Sequence, residues 1–423
     1  MSAQQKRIMA LLFIFCFAFI GLRTVMVPVD DAGSGRSSID GDGYSDVNTL
    51  SAVRYFHDFG FLDSHFRPMH SYTTPDTKAQ AQAYTHYPSM PDILVGVWSI
   101  AIDSTNEKVL RLFPILLSMG LFFFIFYFMQ IWLGDKEAAF ISSCLLVTSN
   151  YFICWSDTLH KHTFEEVFKW FFVYLLYRYF RKKSWLLVAL MGFLAAVIMN
   201  ISFEPAVFLS VTIVGLSIIH EKSYFKIFNR LTIVLGTCFV LGFVAHVYLN
   251  YLYFGSWPQA IEDLRAAFLY RTNQCLDPSH CGLTLKDYLQ YPMVILNRIE
   301  RFYWIPGWAL IVLTWFAFRK WRLTAPQNIQ TFWVLFAASV SWYLVMNQHA
   351  WAHAFVGKQS GILWAWVSGA GLIEYRLQLL KDWHTGSLKL RFLHGFFVTY
   401  ILIMGITQQI KPIYWVDGLS RLF

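Results

Sequence analysis

The sequence predicts an all-α polytopic membrane protein of about 11 transmembrane helices, whose first outer-face loop carries an amphipathic interfacial helix. Three observations carry that expectation. Apolar runs recur along the whole chain, 56 % of its 423 residues are hydrophobic against 14 % charged, and Lys and Arg gather in short clusters between the runs. A water-soluble domain carries about 25 % charge, so much of this chain suits a lipid environment, as the mean hydropathy of +0.44 also says. The 40 Phe, 22 Tyr and 17 Trp fit segments that meet lipid and its interfaces.

A spanning helix needs about 20 apolar residues. Runs of that kind lie at roughly 8–27, 89–103, 110–133, 138–154, 164–180, 185–202, 205–220, 230–252, 299–318, 329–347, 360–376 and 391–408. No small-residue cleavage site follows the first, Arg7 to Val27, so it reads as a retained helix. Positive clusters lie at Lys6-Arg7, from Arg178 to Lys183, from Lys222 to Arg230, from Arg319 to Arg322, and from Arg376 to Arg391. Placing them on the cytoplasmic side puts 29–88, 253–298, the stretch around His349 and His353, and the tail 409–423 on the other side. Parity then requires one early run not to cross. The run 89–103 begins Pro88-Ser89-Met90-Pro91, contains Asp92, and at about 1.5 Å per residue covers only some 22 Å of a core about 30 Å thick. Read as a partial or interfacial helix, it leaves eleven spans and places His160, His162 and Glu165 outside.

The chain reads as one domain, 1–423, and its formal charge of +8 as topology-setting loops rather than nucleic-acid binding. Cys16, Cys144, Cys154 and Cys238 fall in or beside apolar runs, where a buried thiol acts as a small hydrophobe. Cys275 and Cys281 lie in the polar stretch 253–298, and a bridge between them needs an oxidising compartment such as a periplasm. No P-loop, no G-x-G-x-x-G and no H-E-x-x-H occurs.

The first outer loop, 29–88, holds Asp30, Asp31, Asp40, Asp42 and Asp46, with Gly33, Gly35, Gly41 and Gly43 interrupting its first part. From Asp46 onward Val47, Leu50, Val53 and Phe56 make one apolar stripe at three-residue spacing, and Gly60 stops the helix. Such a helix suits the membrane surface. Asp46 stands where a carboxylate caps free amides.

Asp46-Val47-Asn48 to Gly60-Phe61, followed by Tyr84-Thr85-His86-Tyr87-Pro88-Ser89-Met90-Pro91, resembles the membrane glycosyltransferases of the C-type fold (GT-C). Protein O-mannosyltransferases and the lipid A aminoarabinose transferase belong to that group. Trp155-Ser156-Asp157, Gly192-Phe193-Leu194-Ala195 through Ser202-Phe203-Glu204-Pro205, and Asn347-Gln348-His349-Ala350-Trp351-Ala352-His353 extend the likeness, in order, over most of the chain. The resemblance implies transfer of a sugar from a polyprenyl-phosphate donor, as cosubstrate, to a glycan, lipid or protein acceptor on the periplasmic face of a bacterial inner membrane.

That chemistry needs a carboxylate to take the acceptor proton and cationic or hydrogen-bonding partners for the leaving phosphate. The resemblance points to Asp46 as base. Where the family often has Asp-Glu this chain has Asp-Val, which leaves Asp42 and Asp40 open as alternatives. Arg67, His86, His349, His353 and Lys358 are the expected donor and phosphate contacts, with Asp157 and Glu204 supporting. Residues 46–59 and 89–103 would wall the cavity. A divalent metal stays open, either at His349 and His353, spaced i, i+4, or among Asp157, His160, His162 and Glu165. Asp103, Asp135 and Asp263 read as solvated loop charges. The alternative is a flippase, exporter, polymerase or ligase of lipid-linked surface polysaccharide. A flippase should bury charged groups inside its spans, whereas here the acidic residues collect in the outer loops.

Overall fold

The structure is a computed structural model that describes residues 1–26, 29, 43–222, 228–274, 282–303, 305, 307–385, 388, 391, 392 and 394–399. Asp40, Asp42, Cys275, Cys281 and the tail 409–423 lie outside the described residues. The helices are α1 (Ala3–Met26), α2 (Gly43–Phe59), α3 (Met90–Ile102), α4 (Glu107–Leu110), α5 (Leu112–Leu133), α6 (Lys136–Val147), α7 (Asn150–Ile153), α8 (His162–Arg181) and α9 (Trp185–Ile201). They continue with α10 (Phe203–Glu221), α11 (Arg230–Phe254), α12 (Trp257–Arg271), α13 (Leu285–Tyr303), α14 (Gly307–Thr324), α15 (Gln327–Val345), α16 (Asn347–Ala352) and α17 (Gly361–Thr385). Among the described residues the only strands are the antiparallel pair β1 (Met69–His70) and β2 (Gln82–Ala83).

Four described helices are long and apolar enough to cross a membrane: α1, the run Glu107–Leu133, α10 and α11. The apolar α3 and α9 are shorter. The chain is therefore all-helical and of membrane type, and four crossings rest on length and composition where the loop-charge count expects eleven. Helix α3, at 13 residues, covers about 20 Å and falls short of a crossing, as its Pro and Asp content suggests. The run 138–154 divides into α6 and α7, and 299–318 straddles the end of α13 and the start of α14. The stretch 253–298, expected outside from its loop charges, holds α12 and most of α13 among its described residues.

The apolar stripe of α2 is packed into the protein. Leu50, Val53 and Phe56 are buried, and the first two share a cluster with Val95 of α3, Leu110 and Leu159. Gly60, at φ +77°, ends the helix in the left-handed region open to glycine. The segment after it folds back over α2. Ser51 Oγ donates to the Met69 carbonyl (2.9 Å) and accepts from the Tyr72 amide (2.7 Å), and Tyr72 bonds Asp58. Helix α2 is thus covered by its own loop and does not lie bare on the lipid surface.

The bundle packs α9 on α11, α10 on α15, and α17 against both α6 and α14. Gly371 of α17 faces the backbone of α14, where an added Cβ would lie 2.2 Å from the Leu313 carbonyl oxygen. Segments assigned to the cytoplasmic side meet one another through ion pairs: Lys183 with Glu221 (2.7 Å), Lys320 with Asp135 (3.0 Å), and Arg376 with Glu137. Asp135 is not a free loop charge, since its carboxylate also caps α6 by accepting from the Glu137 and Ala138 amides.

Gly371→Ala forces α14 and α17 apart, because the clash is with backbone and no rotamer relieves it. Overpacking of this kind costs about 1–3 kcal/mol. Thermal unfolding in detergent, followed by Trp fluorescence, should show a midpoint several degrees lower than for an alanine change at Gly120, around which there is open space.

Candidate functional site

Five stretches, together with His70 of β1, line a cavity of about 480 Å³. They are the start of α2 (Tyr44, Ser45, Asn48), the segment Tyr84 to Asp92, the turn before α8 (His160, Lys161), the end of α12 (Ala267, Tyr270, Arg271), and α16 with the turn after it (His349, His353, Phe355). A second cavity of about 290 Å³ adjoins it and shares His86, Tyr87, Ala267 and Arg271. Its other walls are apolar, from Met199, Phe203, Val207, Phe243 and Met346 among others. A chamber with charged and polar groups in its walls and an almost wholly apolar one therefore meet along a wall that carries a guanidinium, an imidazole and a phenol.

Lys161 stands at the head of α8. Its Nζ lies 2.8 Å from Glu204 Oε1, 3.4 Å from Glu165 Oε1 and 3.3 Å from Ser202 Oγ. Burial alone would lower the pKa of this ammonium, but Glu165 and Glu204 outweigh it and hold the pKa above the usual lysine range. The Lys161 Nζ also sits 4.6 Å from the centroid of the Tyr87 ring. The Arg271 guanidinium lies 4.7 Å from that same centroid and reaches Tyr84 Oη at 3.5 Å. Both are attractive cation–π contacts. Lys161 is charge-balanced, while Arg271 has no carboxylate partner among the described residues. Positive charge in the cavity is thus available to an anion at Arg271.

Asp92 is the one carboxylate among the described lining residues. It sits in the first turn of α3, is 3 % exposed and bonds Thr49. Burial pushes its carboxyl up to about 7, against the hydrogen bonds from Thr49 and its own backbone. Thr49 Oγ1 is also 3.1 Å from His160 Nδ1. His86 Nε2 pairs with Asp263 Oδ1 at 3.1 Å. Burial would raise the Asp263 carboxyl, but hydrogen bonds from His86 and Thr85 outweigh it and hold the carboxyl below its usual range. Asp263 is therefore the partner of a cavity histidine and not a solvated loop charge.

Asp46 is fully buried and occupied as an acceptor. Its Oδ1 takes the Leu159 amide (2.8 Å) and the His160 amide (3.1 Å). It lies in the first turn of α2, yet the amides it satisfies belong to the turn before α8, so it holds the backbone that presents His160 and Lys161. Arg67 is also away from the cavity. It is fully buried and binds His246 of α11 through the carbonyl (2.8 Å) and Nδ1 (3.3 Å), and burial pulls its pKa down to about 9. Lys358 lies over Trp155, 4.5 Å from the ring centroid. Burial draws it down to about 8, with Glu166 and Glu165 opposing. Asp157 accepts from Thr24 Oγ1 (3.0 Å) and faces Arg23 (3.9 Å), tying α1 to the turn before α8.

Of the residues expected from sequence, His86, His349 and His353 line the cavity and Glu204 supports its floor through Lys161. Arg67, Lys358, Asp157 and Asp46 do not line it, because each is committed to packing or to another element. The rings of His349 and His353 are 4.5 Å apart, but among the described residues no three His, Cys, Asp or Glu side chains converge as a metal-ligand set. In the second constellation Asp157 turns to α1, and His160 to Thr49. Asp92, Tyr87, Lys161 and Arg271 are the cavity groups that sequence reasoning did not assign to the site, and Asp263 is the partner of His86 that it read as a solvated charge. Two signals were available: the Tyr84–Pro91 motif, which contains Tyr87, and the run 89–103, expected to wall the cavity, which contains Asp92.

The fold and the cavity define an all-helical, membrane-type protein with a chamber that is walled by helix ends and carries charged side chains. No protein-family model matches the chain, and no curated protein matches it.

Asp46→Asn retains Oδ1 as an acceptor for both amides, whereas Asp46→Ala leaves two buried N–H groups unpaired at about 1–3 kcal/mol each. Thermal shifts should place the Asn variant within a few degrees of wild type and the Ala variant far below it. Equal loss in both would show that the carboxylate charge, and not its hydrogen bonding, holds the turn.

Proposed function

We propose that the chain is a bacterial inner-membrane glycosyltransferase that moves a sugar from a polyprenyl-phosphate donor to an acceptor on the periplasmic face. The observation that carries this reading is the wall shared by the two cavities. A polyprenyl-phosphate sugar is apolar at one end, anionic in the middle and polyhydroxylated at the other. Arg271 and His86 stand where the apolar and polar spaces meet, which suits the phosphate. The residues Met199, Phe203, Val207 and Phe243 suit the first isoprene units, and the chamber beside Asp92 suits the sugar and the acceptor hydroxyl. Apart from Asp92, in the short run 89–103, the residues lining the larger chamber fall in segments that the loop charges assign outside, which supports a periplasmic site.

In this reading Arg271 offers charge-assisted hydrogen bonds to the phosphate as the C1–O bond breaks. Asp92 takes the proton of the attacking hydroxyl. A base works best with a pKa near the working pH, and burial places this carboxyl there. Asp46 acts as a positioning residue for the turn that carries Lys161, and Glu204 neutralises that ammonium in the floor. Among the described residues Asp92 is the carboxylate that lines the cavity, and the base is assigned to it on that ground.

A second reading, movement of the lipid-linked sugar without chemistry, gains from one observation. Glu165, Glu166 and Lys169 of α8 and Glu204 of α10 are buried, so charge is not confined to outer loops as the sequence suggests. Groups of this kind inside helices mark pathways as well as sites. A labelled donor that crosses vesicles without forming a new glycosidic bond would favour it.

Purified protein in vesicles, supplied with labelled polyprenyl-phosphate sugars and candidate acceptors, should form a new glycosidic bond. Its rate should rise with pH through about 7, because the base must be ionised, and then level off. Asp92→Asn should lower the rate by about 10²–10⁴ and abolish that rise. Retained activity with an unchanged profile in the Asn variant would remove Asp92 from the mechanism. Arg271→Ala should mainly weaken donor binding.

A further inference from the structure

We infer that Tyr87 presents its hydroxyl hydrogen to an anionic oxygen of the cavity ligand, held in that sense by a relay running from Trp342 through His349. The inference rests on the proposed use of the cavity for a lipid-linked phosphate, and names the neutral donor that such a phosphate meets.

The direction of the relay follows from which atoms own hydrogens. Trp342 Nε1 lies 3.1 Å from His349 Nδ1, and an indole nitrogen can only donate. Nδ1 of His349 must therefore be an unprotonated acceptor, since a hydrogen there would face the indole N–H directly. His349 is 6 % exposed. Burial first, then the positive groups His353, Lys161, Arg271 and Arg298, hold its pKa well below the usual histidine value, so the ring is neutral. A neutral imidazole with a bare Nδ1 carries its hydrogen on Nε2. That nitrogen is 2.5 Å from Tyr87 Oη, so His349 donates and the phenol oxygen accepts. The hydrogen of Tyr87 is then not used on His349 and is free for a third group.

A ligand in the cavity can supply that third group. Tyr87 lines both chambers. Its ring is packed on Phe203 (6.2 Å between centroids) and on Tyr84 (6.2 Å), so its direction is set by neighbours. Burial raises the phenol pKa against the opposing effect of Lys161 and Arg271, so the hydroxyl stays protonated. Two cations lie within 4.7 Å of the ring centroid, and Arg271, which has no carboxylate partner among the described residues, draws an anion to the side chain that holds the available O–H. A phosphoryl oxygen seated near Arg271 would thus gain a neutral hydrogen bond besides the charged one, and Trp342 and His349 would act as positioning residues.

The test has two arms. In the first, full-length protein labelled with ¹⁵N-histidine is studied by NMR in nanodiscs, with His349 assigned by difference from His349→Gln. The expected result is hydrogen on Nε2 and none on Nδ1, and a mixture of both tautomers in Trp342→Phe. In the second, binding of decaprenyl phosphate and of inorganic phosphate is measured for wild type, Tyr87→Phe and Trp342→Phe. Tyr87→Phe keeps the ring and its cation contacts and should weaken phosphate binding about tenfold, the worth of one hydrogen bond to a charged group, with Trp342→Phe weakening it less. A proton on Nδ1 in wild type overturns the inference, as does equal affinity in Tyr87→Phe or failure of wild type to bind either probe. Tyr87-dependent binding of inorganic phosphate without binding of decaprenyl phosphate would uphold the relay and overturn the lipid-donor reading.

Discussion

A buried ammonium must be neutralised, and the lower half of the cavity is organised around how Lys161 meets that requirement. Moving an ion of this size out of water costs several kcal/mol even after relaxation. The Lys161 side chain is 2 % exposed, and its carboxylate partners come from two helices, Glu165 in the first turn of α8 and Glu204 in the first turn of α10. Both carboxylates favour helix N-termini for their own reasons, so the ion pair draws two helix starts to one point. Asp46 fixes the backbone on the other side of the lysine. Tyr87 and Phe355 then pack their rings against the ammonium, at 4.6 and 4.9 Å from their centroids. Removing both carboxylates would leave the ammonium buried without a counter-charge, a change typically worth about 3–5 kcal/mol.

The network continues below the cavity in the same manner. Lys169 bonds Glu166 Oε1 (2.7 Å) and Gln359 (3.1 Å), and Trp170 donates to Glu166 Oε2 (3.1 Å). Gln359 belongs to the turn that follows α16, so α8 is keyed to the segment that presents His349 and His353. Arg298 of α13 holds that segment from another side through the Ala350 and Trp351 carbonyls. The cavity is therefore framed by helix ends and short turns that buried polar bonds restrain, which suits a site that must hold its geometry.

Much of the architecture could be read from residue order. Most of the apolar runs become helices among the described residues, the stripe Val47, Leu50, Val53 and Phe56 becomes the packed face of α2, and Gly60 ends that helix where expected. The short run beginning Pro88-Ser89-Met90-Pro91 becomes a helix too short to cross. The site was legible only in part. His86, His349 and His353 stand in polar stretches that the loop charges assign to one face, and they meet there. Asp92 was visible only as a flaw in an apolar run, and Asp263 and Arg271 only as charges in an outer stretch. Nothing in local sequence says that α12 brings them against Tyr84 to Tyr87.

Composition and periodicity are local properties, and by themselves they determined the all-helical, membrane-type character of the chain, the positions of most helices and the pool of polar groups. Which of those groups face a common space is decided by contacts between residues far apart in the chain. Asp46 shows the difference most clearly. Its place before an amphipathic stripe suggests a cap or a base, but the amides it satisfies lie more than a hundred residues away in the turn before α8. A buried amide accepts whichever oxygen the packing brings to it, and so tertiary structure assigned Asp46 to the scaffold and left Asp92 facing the cavity.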